Sequence, residues 1–102
     1  MAGPLSAEWL HRQIAAAPAA LRERTRWFIE QAGGGTDPAS LAAASRAALA
    51  AAVVRANDRA GALDLLVADC LVTLALAAQV EDDPADLGRF ATSLRGLEAP
   101  VR

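Results

Sequence analysis

The sequence predicts an all-α fold: a small orthogonal or up-down helical bundle of about five helices, with an apolar helix at about 58–80 in the centre. Three observations carry this. Proline, glycine and acidic start signals divide the chain into helix-length segments. Alanine, the best helix former, dominates a hydrophobic content of 54%. The run AGALDLLVADCLVTLALAAQV from Ala60 to Val80 is apolar nearly all round a helix, and no segment alternates as a strand would. Residues 1–102 are read as a single helical-bundle domain.

The first helix, about 6–17, takes Ser6 as N-cap and Glu8 in its first turn, with Trp9, Leu10 and Ile14 as a narrow apolar stripe. Pro18 ends it and opens the second, about 18–32, which lines Leu21, Thr25, Phe28, Ile29 and Ala32 along one side before Gly33-Gly34-Gly35 stops it. Thr36-Asp37-Pro38 joins a cap to a proline at the first helical position, so a third helix runs about 38–56. Its inward side is expected to be Leu41, Ala48, Leu49, Ala52, Val53 and Ala56, with Ser45, Arg46 and Arg55 in other directions.

Asn57-Asp58 and Gly61 read as a stop followed by a new cap; one kinked helix from Pro38 to Val80 is the alternative. In the fourth helix, Leu63, Leu66, Val67, Cys70 and Leu74 gather on one face with Leu71 at its border, and Leu65, Val72 and Leu76 on a second, nearly opposite. Asp69 falls at the edge of the second face and Asp64 toward the shoulder, about 140° away, too far apart for one paired acid/base site. Glu81-Asp82-Asp83-Pro84 and Asp86 start a last helix, about 84–95, with Leu87, Phe90, Ala91 and Leu94 inward and Gly96 closing it; 97–102 form a tail.

Ten arginines face twelve acids, with no lysine, for a formal charge of −2. That balance offers no general attraction to nucleic acid or anionic membrane. The Ala60–Val80 run is long enough to span a membrane, but each aspartate at mid-depth would cost about 2.5–3.5 kcal/mol. With one cysteine, no metal-type Cys/His spacing and no basic-then-apolar leader at MAGPLSAEW, the chain reads as cytoplasmic, without cofactor or metal.

No residue set reads as catalytic. His11 lacks a second ligand or an orienting acid, and Cys70 has Leu66, Val67, Leu71 and Leu74 as helical neighbours, a setting for a small buried hydrophobe rather than a thiolate. Arg22, Arg24 and Arg26 beside Trp27 could meet nucleic acid, but Glu23 and Glu30 dilute them. The acids at 81–86 cap a helix and lack calcium-loop spacing, and the glycine triplet follows a helix, not the strand a phosphate loop needs.

Asp69 is the residue weighed most: a carboxylate among Leu65, Val72 and Leu76 needs a donor, with Arg46, Arg55 or an arginine of a partner chain as candidates. The function expected is a non-enzymatic interaction module, a homodimer or a dock for another protein, using Leu65, Val72 and Leu76. The alternative is a binder of an anionic or amphipathic small molecule, or a small helical enzyme, with Asp69, Arg46 and Arg55 at its pocket.

Overall fold

The computed structural model describes residues 7–95 and shows an all-α bundle. Its elements are α1 (Ala7–Ile14), α2 (Ala19–Gln31), α3 (Pro38–Val54), α4 (Arg59–Asp82) and α5 (Leu87–Leu94), with a 3₁₀ turn at Pro84–Asp86 before α5. The molecule measures 43 × 36 × 21 Å, about two helix diameters in its thinnest direction. Ser6, Gly96 and 97–102 lie outside the described residues.

Local chemistry sets the boundaries. Gly33 and Gly34 take φ of +106° and +80°, and their N–H groups return to the carbonyls of Glu30 and Ile29, the paired closure that ends a helix in left-handed backbone. Asp37 accepts from the Ser40 N–H and caps α3; Asp58 accepts from the Gly61 N–H and caps α4. Residues 55–58 therefore separate two helices. Gly61 is no stop: it is buried in the first turn of α4, where a Cβ would overlap the Arg55 carbonyl oxygen. Asp83 caps nothing through its side chain, and its carbonyl instead accepts from Gln79 Nε2.

The antiparallel pair α3/α4 forms the spine. Leu41, Ala44, Ser45, Ala48 and Ala52 of α3 meet a stripe of α4 that runs through Gly61, Asp64, Val67, Ala68, Leu71, Ala75 and Ala78. Small residues bring the backbones close enough for Ser45 Oγ to donate to the Ala68 carbonyl at 3.0 Å. Ser45 is thus part of the seam, whereas Val53 and Ala56, expected inside, are exposed. Trp9, Leu10 and Ile14 of α1, Phe28 and Ile29 of α2 and Leu94 of α5 complete the buried cluster. Ala91, expected to face in, is exposed.

Candidate functional site

On α4 the buried stripe falls between the two faces expected from the sequence. Val67, Leu71 and Leu74 are buried, but Leu66 is 58% exposed and Leu65 54% exposed, with Leu63, Cys70, Val72 and Leu76 half-buried at the margins. Asp64, expected at a shoulder, lies at the middle of the stripe with 1% exposure. Arg24 from α2 meets it with two bonds, Nε to Oδ1 at 2.8 Å and Nη2 to Oδ2 at 3.2 Å. The guanidinium also lies 4.4 Å from the Trp27 ring centre and 4.7 Å from that of Phe28. The hydrogen bond to Asp64 raises the Arg24 pKa, against a smaller opposing effect of burial. This cluster is fully used in joining α2 to α4.

Asp69 is exposed and forms no ion pair among the described residues. It lines an open groove of about 490 Å³ between α3 and α4, together with Ser45, Leu49, Leu65, Leu66 and Val72. Arg46 and Arg55, expected beside it, are exposed and do not line the groove. Arg46 follows Ser45 on α3, so its Cα stands within about 3 Å of the level of Asp69 while its side chain leaves from the outer flank. Leu76, expected with Leu65 and Val72, is half-buried against the core beyond the groove. The groove has one carboxylate, one seam hydroxyl and otherwise aliphatic walls, which suits burial against another apolar surface better than bond making.

The remaining candidates are engaged in holding the fold. Arg22 donates to the Ala17 carbonyl at 2.8 Å, Arg24 to Asp64, and Arg26 Nη2 to His11 Nδ1 at 2.8 Å, so the three arginines turn to three different partners. Arginine has no acceptor, so in this contact Nδ1 is the accepting atom. A shallow depression of about 370 Å³ beside this contact is lined by Leu10, His11, Arg26, Ile29 and Glu30. Behind His11 stands a cation where a general base would need an orienting acceptor. Cys70 is half-buried; burial pushes its thiol above the ordinary pKa, the Thr25 hydroxyl pulls it back, and the charge of Asp69 pushes the same way as burial. That is the reverse of an activated nucleophile. Among the described residues no three His, Cys, Asp or Glu side chains gather as metal ligands, and Asp86 pairs with Arg89 at 3.4 Å.

By length and composition α4 is apolar enough to cross a membrane, the one such helix among the described residues. Compared with known proteins, the chain matches no family model, no curated protein and no solved structure.

Proposed function

We propose that the protein is a non-enzymatic helical interaction module that self-associates through the open face of α3 and α4. One observation carries the reading: Leu65 and Leu66 of α4, which line the groove, are each more than half exposed, and on α3 Val53, one turn on from the groove residue Leu49, is 68% exposed. Scattered surface leucines need no explanation, but contiguous aliphatic side chains flanking a groove mark a surface that gains by being covered.

The size of the face supports a second copy as the cover. Two adjacent helices about 25 Å long and together about 20 Å across offer on the order of 500 Å² of flat area. Two such faces together bury on the order of 1,000 Å², just below the range of stable interfaces and within that of weak ones, so association in the micromolar range is the expected scale. A small chain with an alanine-rich core has little buried apolar area of its own, and pairing adds to it.

Light scattering at tens of micromolar tests the reading. The expected mass is twice that of the 10.5 kDa chain, falling to the single-chain value in Leu65→Glu. Val54→Glu, turned about 140° from Leu49 on α3, serves as the control and keeps the dimer mass. A monomeric wild-type chain at that concentration would overturn the proposal.

A further inference from the structure

Resting on the reading that this face self-associates, we infer that each α4 lies across the partner's α3, held in register by two reciprocal ion pairs between Asp69 and the partner's Arg46. The argument starts at the seam. The bond from Ser45 Oγ to the Ala68 carbonyl sets residue 45 of α3 level with residue 68 of α4. The next residue on each helix turns about 100° away from the seam. For antiparallel neighbours those two turns lead to the same side of the pair, the side where the groove opens. Arg46 and Asp69 therefore stand within about 3 Å of one height on the two flanks of the open face, both exposed and neither ion-paired among the described residues.

A closed dimer made by stacking this face on itself has its twofold axis in the plane of contact, running either along the helices or across them. An axis along the helices keeps every residue at its own height and exchanges left for right. It puts α4 over the partner's α3 and Asp69 over the partner's Arg46, twice by symmetry. An axis across the helices at the same height puts α4 over α4, Asp69 against the partner's Asp69 and Arg46 against the partner's Arg46. Covering the groove withdraws Asp69 from water, and a carboxylate so withdrawn needs a cation. The first arrangement supplies one and the second supplies a like charge. The stem of Arg46 would also lie along the aliphatic wall, adding contact to charge. The two residues thus act as a registration device: apolar contact supplies attraction, and the charges choose between two otherwise similar stackings.

Charge exchange on the full chain tests this, with sedimentation equilibrium as the readout and far-ultraviolet circular dichroism to confirm helicity. Asp69→Arg and Arg46→Asp are each expected to weaken dimerisation at least tenfold. The double variant Asp69→Arg/Arg46→Asp is expected to recover it. An equimolar mixture of the two single variants is expected to form a mixed dimer, since both ion pairs are then restored, one with its native polarity and one reversed. Single variants that dimerise as tightly as wild type, or a mixture that shows no mixed dimer, would overturn the arrangement. If Leu65→Glu abolishes the dimer while the charge variants leave it untouched, this arrangement falls and the self-associating face stands; a wild-type chain that is monomeric throughout removes both.

Discussion

Arg24 on α2 grips Asp64 on α4 through two parallel hydrogen bonds at 2.8 and 3.2 Å, and the carboxylate end of the pair is withdrawn from solvent while the guanidinium end stays part-exposed. The asymmetry fixes which partner matters more when lost. Removing the arginine strands a buried anion, whereas removing the anion leaves a cation that can turn to water.

Arg24→Ala is therefore expected to cost about 3 kcal/mol, the lower end of the range for breaking a buried pair because water reaches the Arg24 end. Asp64→Leu on its own should cost less, and Arg24→Met/Asp64→Leu should recover most of the stability, because an apolar pair asks for no compensation. Urea unfolding followed by the fluorescence of Trp27, which stacks on Arg24, measures all three. A double variant as unstable as Arg24→Ala would mean that the ion pair contributes more than an apolar replacement can.

This pair also marks where the sequence stops being legible. Helix ends are local events, so the glycine stop at 33–34 and the caps at Asp37 and Asp58 can be read directly from neighbouring residues. The inward face of α4 is a different matter. When nearly every position on a helix is apolar, hydrophobicity has no phase to read, and weighing the leucines sends the centre of the face toward Leu66, which is exposed. What marks the true seam is small side chains in register, Gly61 and Ala68 along Ala44, Ala48 and Ala52, with Ala75 and Ala78 continuing the buried stripe of α4. That register places Asp64 at the centre and Asp69 on the rim. The partner of Asp64 lies 40 residues away on α2, beyond any local pattern.

Two glycines should respond to alanine in opposite senses. Gly61 packs against the end of α3, where a methyl group would meet the rigid carbonyl of Arg55, so Gly61→Ala is expected to destabilise by about 3 kcal/mol, the upper end for overpacking. Gly88 sits in α5 with open space around it, so Gly88→Ala is expected to stabilise by about 0.5 kcal/mol through helix propensity. Thermal unfolding of the two variants should bracket wild type. Equal melting temperatures for wild type and Gly61→Ala would show that the α3/α4 turn opens to admit the methyl.

The α3 cap carries a pH signature. Asp37 accepts from the Ser40 hydroxyl at 2.6 Å and from the Ser40 N–H at 3.1 Å, and the hydroxyl bond above all holds its carboxyl below the usual carboxylate range, although partial burial pushes the other way. A depressed folded-state value means that the charged form stabilises the fold above the unfolded value, and that this contribution is lost as pH falls through the folded value. Asparagine caps nearly as well but lacks the charge that the helix N-terminus favours, so wild type should exceed Asp37→Asn by about 0.5 kcal/mol near neutrality. The gap should close as pH drops below about 4. Urea midpoints between pH 6 and pH 3 follow it; parallel curves across that range would remove the carboxylate from the account.

Thr25 is fully buried on α2, and its hydroxyl makes no hydrogen bond, although the Cys70 thiol is near enough to feel it. A thiol beside a hydroxyl is a weak donor and a weak acceptor, so the contact returns little of what the hydroxyl lost on leaving water. Valine has the same branched shape and nothing to desolvate. Thr25→Val is accordingly expected to raise stability by about 1 kcal/mol, whereas Thr25→Ala, which removes the same hydroxyl but leaves a void against α4, should lower it. The contrast separates polarity from packing. Chemical denaturation of the two variants reads the sign of each, and a loss of stability in Thr25→Val would show that the hydroxyl is satisfied in the folded protein by a bond to Cys70 or to a carbonyl of its own helix.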